Sequence, residues 1–248
     1  MIQRSAMLLR LITANNRLGL RLVDLHKQAE LSRPTAHRIL QALVSERLVR
    51  QDAHSKRYFL GSLIYEMGLA AAPVFDLRDI CQPFLQQVAQ QSGDTVFLTT
   101  RSGFDGVCLA RAEGVYPIKA FVLDVGRRRP LQIGGGALAM LSGLADDEIE
   151  RIWQANRERV MRQYPGFDVD AMWRRVHQAR LKGYLLNDVL EVDGVRSLAV
   201  PIYDSGRMPV GAISISALRS RLSDGLIDDK VTMLQNAVAE VQKLIAQQ

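Results

Sequence analysis

Cysteine is nearly missing from this 248-residue chain, which has only Cys81 and Cys108. With no CxxC pair and no cluster of histidines beside them, neither a disulfide framework nor a zinc site is expected, and both thiols read as core or interface residues. Long apolar runs are missing too. Charged or polar residues interrupt every apolar stretch well before the ~20 residues a membrane span needs, and no basic-then-apolar leader opens the sequence. The expectation is a cytoplasmic protein with no membrane partner. A catalytic constellation is also lacking. Outside the first quarter the chain has one histidine, His177, on a charged helix, while Cys108 falls in an expected strand with no base in view and the acids lie mostly on helix surfaces. The run Gly134-Gly135-Gly136 is not followed by Gly-Lys-Ser/Thr, so it is not a Walker loop. No cofactor is expected.

What the chain has is an uneven distribution of charge. Residues 1–61 hold 11 Lys+Arg against 4 Asp+Glu, a balance of +7, and the remaining residues balance at −1, giving the +6 of the whole. A basic small domain joined to a neutral larger one is the footprint of a nucleic-acid-binding head on a body with another task.

Within that head, residues 31–48 read LSRPTAHRILQALVSERL. Ser32 suits a helix N-cap, and Pro34 is tolerated in the first turn, where its missing N–H would have no acceptor anyway. Ala36, Ile39, Leu40, Leu43 and Val44 form one apolar face. The other face presents Arg33, Thr35, His37, Arg38, Gln41 and Ser45, donors suited to base edges or phosphates in a major groove. Taken alone, the segment is equally an ordinary amphipathic surface helix. Its surroundings favour more. Residues 1–15 and 21–29 have helical apolar spacing, and a short turn leads from the second into the third, as in a helix-turn-helix. Residues 49–61 contain two short extended runs around a polar tip, a hairpin wing with Arg50, His54, Lys56 and Arg57 as candidate phosphate contacts.

Residues 62–74 are apolar and alanine-rich, which predicts a linker helix between a winged helix-turn-helix of residues 1–61 and a body of residues 75–248. The body starts with a helix over 75–92. Three strands are expected over 95–100, 106–112 and 117–123, with antiparallel neighbours because the connections are short. After the glycine run, which is equally a plain flexible loop or a helix start whose backbone N–H groups suit a small anion, helices are expected over 137–144, 146–161 and 168–183. Strands over 184–190, 195–203 and 210–217 follow, with a turn at 204–206, and a helix over 224–247 closes the chain. Strand alternation in residues 212–216 sets Ser214 and Ser216 on one face and Ile213 and Ile215 on the other. The fold class is therefore mixed α/β (α+β), with helices packed on a sheet whose serine face opens on something polar, as suits a small-molecule sensor.

Taken together, SRPTAHRILQALVSERLV, YFLG, VGRRRPLQ, GVRSLAVPIYD and GAISISA resemble, in order and spacing, the IclR family of bacterial transcription regulators, over nearly the whole chain. The resemblance implies an N-terminal winged helix-turn-helix, a linker helix and a GAF-like antiparallel-sheet effector-binding domain, working as a homodimer or homotetramer. It also implies an effector pocket built from Gly135 and Gly136, Asn187, Ser197, Ser214 and Ser216, near the family's usual arginine, here Arg128. Asn187 stands where an aspartate is frequent and Ser197 where a cysteine is frequent. A neutral amide in place of a carboxylate favours an anionic ligand by removing a like charge. Arg127 and Arg129 add positive charge beside Arg128.

The function expected is a regulator that binds a double-stranded DNA operator under control of a small organic acid. The alternative is a small-molecule-processing enzyme with an accessory nucleic-acid-binding head, which lacks a recognisable catalytic set. A head that binds RNA or protein is a third reading. It fits less well, because the wing and polar helix suit duplex DNA better than the aromatic platforms used for single strands.

Overall fold

The first unit of the fold is organised around a helix that starts at Ser32. In the computed structural model, which describes residues 1–71, 77–223 and 225–247, the Ser32 hydroxyl accepts from the Thr35 N–H at 3.4 Å and meets the Thr35 hydroxyl at 2.8 Å. The helix, α3 (Arg33–Ser45), has Pro34 in its first turn. It packs on α1 (Ile2–Ala14) and α2 (Leu22–Gln28), and β1 (Val49–Gln51) and β2 (Tyr58–Leu60) follow as an antiparallel hairpin with Val49 opposite Leu60. Leu20 bridges to Tyr58, which fastens the hairpin to the connection between α1 and α2. Leu8, Ile12, Leu25, Ile39, Leu40, Leu43, Val49 and Tyr58 form one core. Leu8, Leu25 and Leu40 are fully buried, so truncating any of them to Ala costs ~2–5 kcal/mol.

Helix α4 (Ser62–Ala71) comes next. Arg47, just past α3, reaches it through Ser62 Oγ at 3.0 Å and Glu66 Oε1 at 2.6 Å. Residues 72–74 of the expected linker, the first two residues of the helix expected over 75–92, and Asp224 and Gln248 lie outside the described residues. The chain divides into two compact units, Met1–Phe75 and Asp76–Gln248.

The second unit is built on a six-stranded antiparallel sheet. Its strands are β3 (Thr95–Ser102), β4 (Asp105–Glu113), β5 (Arg128–Pro130), β6 (Leu185–Asp188), β7 (Val195–Tyr203) and β8 (Pro209–Leu218), in the order β5-β4-β3-β8-β7-β6. Alternation along the strands divides the side chains between two faces. Val96, Leu98, Leu198, Val200, Ile213 and Ile215 pack with Cys81, Leu85 and Val88 of α5 (Leu77–Ser92) and with Leu234, Val238 and Val241 of α9 (Asp228–Ala246). On the other face Leu185, Ala199 and Ala212 pack with α6 (Gly135–Ser142) and with Met172 and Val176 of α8 (Val169–Lys182). Helix α7 (Asp146–Gln163) adds Ile149 and Ile152 to that second core.

One expected strand is absent. Residues 117–123 run irregularly, and the edge of β4 is taken instead by β5, with Gly106 opposite Arg129 and Val107 opposite Arg128. Pro117 has no N–H to offer a ladder, and the apolar residues have other work. Ala120 and Val122 pack with Val189 and Val195. The last helix also begins later than expected, at Asp228, after a short 3-10 turn over Arg219–Leu222.

Candidate functional site

The polar face of α3 is free. Arg33, His37, Arg38, Gln41 and Ser45 are exposed and Thr35 half-buried, opposite the buried Ala36, Ile39, Leu40 and Leu43. Arg33, His37, Gln41 and Ser45 recur every four residues and so form a single ridge. Two of these groups are also used locally. Ser45 Oγ donates back to Ala42 O at 2.8 Å, and Gln41 lies within hydrogen-bond reach of Tyr58. Thr35 is held by the Ser32 cap.

On the wing, Arg50 lies over the Phe59 ring at 4.3 Å, and His54 and Lys56 are exposed at the tip. The tip is shaped by Asp52, which accepts from both Ser55 N and Ser55 Oγ at 2.7 Å, bonds that hold its carboxyl below the usual range. Arg57 has another role from the one expected of it. Its Nη1 donates to Gly19 O at 2.8 Å, tying the wing to the end of the α1–α2 connection.

In the second unit a cavity opens on the serine face of the sheet. Ser197, Ser214 and Ser216 line it together with Phe97 and Thr99 of β3, Gly134 to Ala137 at the start of α6, Val122, Leu123, Val189 and Arg129. The space among these residues, part of it open to solvent, is about 430 Å³. A space of this size suits a small ligand. The glycines make it possible. A Cβ on Gly135 would lie 2.4 Å from Ser197 Oγ, and one on Gly136 would lie 2.8 Å from Thr99 Oγ1. Only a bare backbone lets the helix start, with its positive dipole end, come this close to the serines.

Register explains the grouping. Asn187 faces Ser197 across β6 and β7, Ser197 faces Ser216, and Ser214 faces Phe97. The Ser216 hydroxyl lies 3.4 Å from that of Ser197. Asn187 is buried on this same face, one strand outward, and is not among the lining residues.

The expected arginine is replaced by its neighbour. Arg128 turns away from the cavity, to Asp105 Oδ2 at 3.2 Å and to the carbonyl and hydroxyl of Ser102 at 3.1 and 3.2 Å. Adjacent residues of a strand face opposite sides, so Arg129 points in. It is 6 % exposed and is the one charged side chain among the described residues lining the cavity. Burial lowers its pKa and Glu191 works against that shift. A guanidinium stays charged all the same. Both thiols are core groups, as expected. Burial pushes Cys81 and Cys108 up to about 12, so neither is a thiolate nucleophile at neutral pH. His177 is exposed and stacks on Trp173 at 5.7 Å.

A winged helix-turn-helix with an exposed polar ridge, on one chain with a sheet that carries a small serine-lined cavity, defines the class of effector-binding, DNA-binding transcription regulators. Residues 1–53 match the IclR helix-turn-helix domain, and residues 69–243 match the C-terminal domain of bacterial transcriptional regulator IclR. The chain belongs to the IclR family. It is 25 % identical over 218 residues to the HTH-type transcriptional regulator XynR of Escherichia coli, covering 88 % of this chain and 86 % of that one. Among solved structures, an IclR transcriptional regulator from Alicyclobacillus acidocaldarius matches with a TM-score of 0.79 at 22 % identity, over 98 % of this chain and 97 % of that one. An IclR homolog from Microbacterium hydrocarbonoxydans, complexed with 4-hydroxybenzoate, matches with a TM-score of 0.70 at 20 % identity, over 96 % and 98 %. Among the described residues no helix is long and apolar enough to cross a membrane.

Proposed function

We propose that this regulator reads its operator with the α3 ridge and the wing, and that a small organic acid held in the cavity controls its affinity for DNA. The observation that carries the ligand class is the cavity's charge. Its lining combines three serines, the start of a helix and the buried Arg129, with no lining carboxylate among the described residues. The 4-hydroxybenzoate bound by the Microbacterium homolog is an acid of this kind. A coupling of ~1–3 kcal/mol between the sites would change operator affinity about 5- to 150-fold.

Arg33, Thr35, His37, Arg38, Gln41, Ser45, Arg50, His54 and Lys56 are the proposed DNA contacts, with Arg57 placing the wing. Tyr65, Met67 and Leu69 of α4 are 70, 54 and 61 % exposed. Such apolar exposure suits packing against a second copy, and hence a homodimer or homotetramer presenting two heads to a pseudo-palindromic operator. The effector is bound rather than turned over, in keeping with relatives that are transcriptional regulators, and the protein works in the cytoplasm.

A thermal-shift screen of small organic acids tests the cavity, with each hit carried into a gel-shift titration on selected operator fragments. Hits should lose their shift in Ser214→Ala and should alter DNA affinity in the wild type. A hit that stabilises wild type and Ser214→Ala equally would place the effector elsewhere.

A further inference from the structure

The cavity and its cover meet at Arg129. Its Nη2 donates to the carbonyl of Val122 and lies 3.2 Å from Glu191 Oε1, while its Nε is buried with no hydrogen-bond partner. Val122 belongs to the irregular segment over 117–123 that replaced the expected strand. Glu191 belongs to the turn between β6 and β7, whose first residue, Val189, also lines the cavity. Ala120, Val122, Val189 and Val195 pack together above it. One guanidinium therefore cross-links the two segments that cover the site.

The pairing with Glu191 is incomplete. Nε and Nη2 form one edge of the guanidinium, the edge that accepts a carboxylate through two parallel bonds. Glu191 occupies Nη2 alone and leaves Nε bare. It is also the more exposed partner, at 29 % of its side chain against 7 % for Arg129. A buried donor without a partner is costly, and a carboxylate inside the cavity would satisfy it.

We propose that Glu191 is an internal stand-in for the effector: a carboxylate entering the cavity takes the Nε/Nη2 edge of Arg129, displaces the Glu191 side chain toward solvent and frees the turn over 189–195 from the segment over 117–123. This rests on the cavity as the effector site and deepens it. It names the carboxylate as the group recognised, Arg129 as the residue that sets this specificity, and ion-pair exchange as the event that reports binding.

Acetate is a sufficient probe, with chloride at equal ionic strength and neutral acetamide as controls. Melting temperatures are measured on the full chain for wild type, Glu191→Gln, Arg129→Leu and the double variant. With its competitor removed, Glu191→Gln should gain about 2–4 °C from acetate over chloride at roughly five times the dissociation constant. It should also half-saturate at a severalfold lower acetate concentration than wild type. Arg129→Leu and the double variant should show no acetate-specific gain, and acetamide none anywhere. Equal acetate responses in wild type and Glu191→Gln, or a response that survives Arg129→Leu, would overturn the exchange. Should Glu191→Gln not fold, wild type against Arg129→Leu decides: an acetate gain confined to wild type supports the proposal, and any other pattern sinks it. The Ser214→Ala loss tests the cavity separately. If that loss is found without an acetate-specific gain, the exchange falls and the cavity stands. The reverse result, an acetate-specific gain with no Ser214→Ala loss, would leave carboxylate binding at Arg129 but overturn Glu191 as the stand-in for the effector.

Discussion

Gly135→Ala is expected to destabilise the second unit although it places alanine, the best helix former, inside a helix. The added Cβ would sit 2.4 Å from Ser197 Oγ and 2.7 Å from Ser197 Cβ, where real Cβ contacts under 3.0 Å are essentially never seen. The hydroxyl can swing to another rotamer. The Ser197 Cβ is fixed to β7, so the start of α6 or the strand itself has to move by several tenths of an ångström. Overpacking of this kind costs ~1–3 kcal/mol, and Gly-to-Ala in a helix returns ~0.5–1 kcal/mol. The net loss spans ~0–2.5 kcal/mol and centres on ~1 kcal/mol, or about 2–4 °C of melting temperature at ~2–4 °C per kcal/mol. Gly136→Ala is the internal control. Its nearest obstacle is Thr99 Oγ1 at 2.8 Å, which can rotate, and then Thr99 Cβ at 3.2 Å, so its net change should lie within ~1 kcal/mol of zero. Differential scanning calorimetry on both variants, on Ser197→Gly and on Gly135→Ala/Ser197→Gly gives the cycle, in which the Gly135→Ala/Ser197→Gly pair should recover ~1 kcal/mol or more relative to the sum of its singles. A Gly135→Ala protein that melts at or above wild type, or a cycle with no coupling, would refute the claim that close approach is what these glycines supply.

Three further outcomes follow from other parts of the molecule. Arg38→Ala should weaken operator binding by ~1 kcal/mol or more in a gel shift while effector binding stays as in wild type, and an unchanged DNA affinity would remove this helix from the interface. Ser32→Ala should lower the stability of the first unit by ~1 kcal/mol through loss of the α3 cap, seen as a lower urea midpoint, whereas Ser32→Gly should cost only a few tenths. Cys81 and Cys108 should resist alkylation at pH 8 until denaturant is added. Their folded pKa values lie above the ordinary value of 9.0, so the folded state holds its thiol protons more tightly. The stability this gives is complete below about pH 9 and should fall as pH rises from there toward 12.

Much of this architecture was legible because local periodicity and tertiary burial agree. The apolar spacing of α3, its serine cap and the polar wing are each short-range signals, and the alternation of residues 212–216 sorted serines from isoleucines before any neighbour was known. The failures lie where neighbours decide. Residues 117–123 have strand-like composition, but the edge they would occupy belongs to three residues, 128–130, too few to show a period. Missing that short strand also hid which arginine faces inward. Once Arg128–Pro130 is a strand, alternation alone sends Arg129 to the cavity and Arg128 to Asp105. The Arg57 hydrogen bond to Gly19 spans 38 residues and has no sequence signal. Asn187 falls on the correct face, yet its distance from the cavity depends on where the sheet is covered.

The two faces of β8 answer to different demands. Its odd-numbered Ile213 and Ile215 are committed to the packing of α5 and α9, while its even-numbered Ser214 and Ser216 touch only the cavity side. Under the proposed function, changes at the even positions retune chemical preference while the odd ones keep the scaffold intact, which separates the choice of ligand from folding in a redesigned sensor.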